Sequence, residues 1–97
     1  MDESAVRTAA EEHANATVQK EFKVAGSTLS EPARAQAGDV MKAMPGQLTS
    51  YEITGVTSSG DETVVLIAYR GDDGEATVES RWADVEGRPM IVNLAVQ

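Results

Sequence analysis

The chain has 97 residues, no cysteine, and 16 acidic against 8 basic side chains, for a formal charge of −8. That length fits one domain with its own core, and the missing cysteines exclude a disulfide framework and a thiolate metal site. The acidic balance argues against ordinary nucleic-acid binding, because phosphates would be repelled instead of shedding counterions.

No apolar run is long enough to span a bilayer, so direct membrane insertion is not expected. The opening Met1-Asp2-Glu3-Ser4 lacks the basic and apolar regions of a signal peptide. As written the chain reads as cytoplasmic; it reads as extracytoplasmic if a leader has been trimmed ahead of a new Met.

Asp2 or Ser4 is placed to cap a first helix running over about 4–24. Val6, Ala10, Ala14, Val18 and Phe22 recur every four residues and make one continuous stripe. Glu3 and Arg7 form an i,i+4 pair of favourable polarity, and Gly26 is the natural stop. The stripe is rich in alanine, which predicts a close approach to the sheet with little room for a cavity. Ser30-Glu31-Pro32 opens a shorter second helix over about 31–44, with Ala33, Ala37, Val40 or Met41, and Met44 on its apolar side. Gly38 lies in its middle, and Pro45-Gly46 ends it.

The second half reads as four strands, over about 48–57, 62–70, 75–84 and 88–96. In the first, Tyr51 and Ile53 alternate and then Val56 slips in parity. A β-bulge near Gly55 would restore Val56 to their face; the alternative is that the strand ends there. The second strand is apolar on both sides, with Val64, Leu66 and Ala68 on one and Val65, Ile67 and Tyr69 on the other. In the third, Ala76, Val78 and Trp82 oppose Thr77, Glu79 and Arg81. The fourth sets Met90, Val92, Leu94 and Val96 on one face and Ile91 and Ala95 on the other. Ser58-Ser59-Gly60-Asp61, Gly71-Asp72-Asp73-Gly74 and Glu86-Gly87 are hairpin turns, so the strands form an antiparallel meander. The expected class is α+β: one long helix and a short second helix packed on a curved four-stranded antiparallel sheet, all in a single domain over 1–97.

The negative excess belongs to the strands. Residues up to 48 carry 7 acids and 5 bases, the remainder 9 acids and 3 bases. Acidic turns keep sheet edges solvated; an acidic face also attracts basic partners.

Candidate chemistry is sparse. His13 is the single histidine and stands beside the helix stripe; no second histidine or cysteine is available to complete a metal site. Asp72-Asp73-Gly74-Glu75 lacks the spaced ligands of an EF-hand. No Gly-x-Ser-x-Gly elbow accompanies the serines. No catalytic residue, metal site or cofactor is therefore assigned. The residues best placed to line a small-ligand site are Tyr51, Tyr69, Trp82 and His13, with core packing the ordinary role of Trp82. The doubly apolar second strand and Ile91 point to a covered outer sheet face. A protein interface is accordingly expected through Val65, Ile67, Tyr69, Arg81 and Ile91, most simply with a second copy of the chain.

The order of elements, together with Met44-Pro45-Gly46-Gln47-Leu48-Thr49-Ser50-Tyr51-Glu52-Ile53 at the helix-to-strand junction and Val85-Glu86-Gly87-Arg88-Pro89-Met90-Ile91-Val92 in the last hairpin, resembles the cystatin-like and nuclear-transport-factor-two-like superfolds. The resemblance implies a helix-on-meander fold, like that of many small bacterial domains of unknown function. Ketosteroid isomerases and polyketide cyclases share the architecture, but none of their catalytic residues maps onto this sequence. The leading functional reading is a non-enzymatic accessory domain acting through protein contact. One alternative is a small-ligand binder or isomerase-like or cyclase-like enzyme, which needs a pocket of about 300 Å³ or more between helix and sheet. The other is an acidic inhibitor or immunity-type protein that neutralises a basic partner.

Overall fold

The period-two segments form β1 (Leu48–Ser59), β2 (Glu62–Gly71), β3 (Gly74–Val85) and β4 (Arg88–Val96). They pair antiparallel in the order β1-β2-β3-β4. Ahead of them run α1 (Glu3–Val18), the short α2 (Phe22–Gly26) and α3 (Glu31–Ala43). This is the arrangement of a computed structural model, which describes residues 2–97. The α+β class and the meander are as the sequence indicates.

One face of the sheet is buried by the helices. Across it run Tyr51–Tyr69–Ala76, Ile53–Ile67–Val78–Val96, Val56–Val65–Ser80–Leu94 and Thr63–Trp82–Ile91, each residue opposite the next in register. Val6, Ala10 and Ala14 of α1 and Ala33 of α3 are fully buried within the same core. With no side chain beyond a methyl at Ala10 and Ala14, the helix backbone settles close to the strands. The slip at Val56 is resolved by a β-bulge: Ile53 opposes Ile67 and Gly55 opposes Leu66, leaving Thr54 as the extra residue.

The first helix is shorter than its stripe predicts. Asp2 caps it by accepting from Ser4 N at 3.0 Å. It ends at Val18 in a Schellman motif, where Lys20 N donates to Thr17 O and Glu21 N donates to Ala16 O. Lys20 takes the left-handed conformation, φ 64°, that this motif demands. The chain then turns into α2 as a separate piece, and Phe22, the last member of the stripe, emerges exposed.

Four of the five residues expected at a protein interface are not on the surface. Val65, Ile67, Tyr69 and Ile91 all lie in the core, at 0–2% exposure; of the five residues only Arg81 faces outward. β2 is apolar on both sides, so its alternation does not say which side is inner. In β4 a further bulge intervenes: Trp82 opposes Ile91 and Arg81 opposes Asn93, leaving Val92 unpaired. Ile91 and Leu94 therefore both point inward, although their spacing is odd. The outer face carries half-buried Val64, Leu66 and Ala68. It is flanked by the ion pairs Arg70–Glu52 (3.3 Å), Arg70–Glu75 (3.4 Å), Arg81–Glu62 (3.6 Å) and Arg81–Glu79 (3.8 Å). These pairs are solvent-exposed and contribute little to stability.

The free edge of β4 is covered from within the chain. Ile91 N donates to Thr28 O and Ser30 N to Ile91 O, so that Leu29 runs as a one-bridge parallel strand. Further along, Leu94 N donates to Gln36 Oε1 at 2.8 Å, and Gln36 Nε2 donates to Asn93 Oδ1 at 2.8 Å.

Candidate functional site

The turn at Lys20 has a consequence for the interior. Because α2 departs from the line of α1, a hollow of about 350 Å³ opens between α1, α2, α3 and the sheet. His13 and Thr17 line it from α1, Phe22, Ala25 and Gly26 from α2, and Leu29 from the following loop. From α3 come Ala37, Gly38, Val40 and Met41, with Met44 just beyond its end; Tyr69, Val78 and Leu94 form the sheet side. The alanine-rich helices, expected to leave little space, leave a pocket at the lower end of the small-molecule range. Its wall is apolar except for His13, Thr17 and Tyr69, and Phe22 and Met41 are exposed where it meets solvent.

His13 is buried and held by its ring. Nδ1 lies 2.9 Å from Ala25 O and 3.1 Å from Thr28 Oγ1. The Thr28 hydroxyl in turn donates to Ala25 O at 3.0 Å. A carbonyl oxygen only accepts, so Nδ1 carries the proton, a tautomer assigned from these partners. Burial lowers the pKa of His13, and the bond to Ala25 raises it by less, so the ring is neutral near pH 7 with the Nε2 lone pair free. Among the described residues no protein group meets Nε2. The ring stands edge-on to Trp82, centroids 6.3 Å apart at 85°.

Tyr69 is also buried on the pocket wall. Loss of solvent pushes its hydroxyl up to about 12; the neighbouring Thr17 hydroxyl opposes the rise and Tyr51 adds to it. Thr17 itself donates to His13 O at 2.9 Å.

Of the four side chains expected to line a ligand site, His13 and Tyr69 meet in this pocket. Tyr51 sits opposite Tyr69 on the half-buried rim of the inner face. Trp82 is fully buried and reaches the pocket only through His13; its Nε1 donates to Ser80 Oγ at 2.9 Å. Sequence reasoning missed Thr17, Phe22, Leu29 and Met41. Phe22 and Met41 were legible as apolar residues at helix ends, whereas Thr17 gave no signal apart from its position four residues after His13. Among the described residues no cluster of three or more His, Cys, Asp or Glu side chains could hold a metal ion. Among the described residues no helix is long and apolar enough to cross a membrane.

No family model matches the sequence, and no curated protein matches it. Its architecture does have solved counterparts. An NTF2-like protein of unknown function from Shewanella baltica OS155 superposes with a TM-score of 0.74 at 12% identity, over 97% of this chain and 90% of that one. A second, from Burkholderia xenovorans LB400, gives 0.66 at 15% identity, over 98% and 83%. A third, from Cytophaga hutchinsonii ATCC 33406, gives 0.62 at 14%, over 95% and 88%. The chain has the NTF2-like fold. At these identities the likeness defines architecture, which is compatible with a ligand-binding or accessory role.

Proposed function

We propose that this protein binds a small, largely apolar molecule in the pocket between its helices and its sheet. The observation that carries the reading is the hollow itself, about 350 Å³ and apolar on most of its wall. A recess of this size, apolar on most of its wall and bordered by two buried polar rings, has the dimensions and lining of a small-molecule site. Binding suits the geometry better than proton-transfer catalysis. His13 is oriented by a backbone carbonyl and a hydroxyl, with no carboxylate to stabilise a ring that has taken up a proton. The test is N-phenyl-1-naphthylamine, an uncharged dye that brightens on leaving water. Saturable one-to-one binding is expected, and Ala37→Phe, which fills the pocket wall, should abolish it while the far-UV spectrum stays unchanged. Absent binding, or binding indifferent to Ala37→Phe, rejects the reading.

Protein contact remains a second reading, moved to the outer sheet face. Val64, Leu66 and Ala68 form an apolar strip there, between charge clusters that contain both signs. A face carrying both signs is suited to meeting its own copy about a two-fold axis. The favoured partner is thus a homodimer mate, in place of a basic target. Sedimentation of the wild type and of Leu66→Lys checks this: a dimer lost in the variant supports it, and a monomer at all concentrations removes it.

A further inference from the structure

We infer that the pocket's buried histidine offers a hydrogen-bond acceptor, His13 Nε2, so that its ligand is an uncharged apolar molecule presenting a hydroxyl or N–H group at its inner end. The inference rests on the pocket-binding reading and adds the chemical class of the occupant.

The argument is an accounting of protons. Ala25 O receives the Thr28 hydroxyl proton at 3.0 Å and lies 2.9 Å from His13 Nδ1. Were Nδ1 unprotonated, two lone pairs would face each other at that distance, so Nδ1 holds the ring's single proton. Nε2 is left as a bare lone pair on a pocket-lining residue that is nine-tenths buried. It is not sealed off, since Ser30 Oγ is the buried side-chain atom without a partner among the described residues. The Thr17 proton is likewise committed, to His13 O at 2.9 Å. Tyr69 keeps its phenolic proton and is a donor as well as an acceptor. Among the described residues no Lys, Arg, Asp or Glu lines the pocket.

A carboxylate entering such a site meets the Nε2 lone pair and no cation, and leaves water poorly compensated. A ketone or ether fits the apolar wall but leaves Nε2 unanswered. An alcohol, phenol or secondary amide answers it. Sites built around a buried polar group reject analogues that lack its partner.

Three probes of equal or near-equal size separate these cases by competition against N-phenyl-1-naphthylamine at pH 7.5: 1-octanol, its isomer 1-methoxyheptane, and octanoate. We expect 1-octanol to compete roughly tenfold better than the ether, and octanoate to be weaker than both. His13→Leu should bring alcohol and ether together. Should that variant fail to fold, the wild-type comparison stands without any variant. His13 is the only histidine, so its ring nitrogens are assigned directly by 15N NMR. Nδ1 should be protonated and Nε2 bare, with Nε2 shifting on addition of 1-octanol. Alcohol and ether competing equally, octanoate competing best, or a protonated Nε2 overturns the inference while leaving the pocket reading intact. Failure of the dye itself to bind overturns both.

Discussion

Trp82 gives its indole proton to the hydroxyl of Ser80, two residues earlier on the same face of β3, and Ser80 passes its own proton to Val65 O at 2.9 Å. Both side chains are fully buried. A polar residue thus sits in the middle of the core because the only tryptophan needs an acceptor there. Ser80→Ala leaves the indole N–H unanswered and should cost about 1–3 kcal/mol, read as a lower urea midpoint by Trp82 fluorescence. An unchanged midpoint would show that the indole finds another acceptor.

The buried His13 makes stability depend on pH. Its folded pKa lies below the ordinary value of 6.5, chiefly through burial. Between those two values the unfolded chain binds more protons than the folded one, so stability rises with pH across that window. Its contribution is complete above about pH 6.5 and is lost as pH falls toward the folded pKa. Urea titrations of wild type and His13→Asn should give a difference curve that is flat from pH 7 to 8 and declines below 6.5. A difference that grows on acidification contradicts the assignment.

Gly71 and Gly38 should respond in opposite ways to a methyl group. A Cβ at Gly71 would collide with the Gln47 backbone carbonyl and lie 2.7 Å from Pro45 Cβ. Neither neighbour is the end of a flexible chain, so Gly71→Ala should destabilise by about 1–3 kcal/mol. Gly38 lies inside α3 with nothing within 4 Å of an added Cβ. Gly38→Ala should stabilise by roughly 0.5–1 kcal/mol. Thermal melts of both variants check the pair, and equal shifts would contradict the packing described for Gly71.

Gln36 acts as a surrogate strand for the β4 edge, with both ends of its amide engaged at 2.8 Å. Gln36→Leu keeps the bulk and removes both bonds. The expected cost is about 1–2 kcal/mol, with faster hydrogen exchange at the Leu94 amide. Unaltered protection of that amide would assign the edge to other groups.

The strands were legible because period-two patterning and Gly-bearing turns are local properties, and both operate from Leu48 onward. The bulge near Gly55 was readable because Val56 broke parity beside a glycine. Its counterpart at Val92 was not, since a valine there looks like any other strand residue, and the facing of Ile91 was inverted as a result. The two sides of β2 could not be told apart for a related reason: each is apolar, and only the position of the helices decides between them. The break at Lys20 had no glycine or proline to mark it. The pocket followed from that break, and His13 and Tyr69 could be named as candidates without the space they share being visible.

That break sets what kind of object this molecule is. An uninterrupted helix of some twenty residues would lie about 30 Å long, straight along the strands, and its alanines would fill the interior to a solid. A single lysine in a left-handed turn diverts the last segment outward and converts the solid into a vessel. The volume of that recess is thus set at a residue that does not line it.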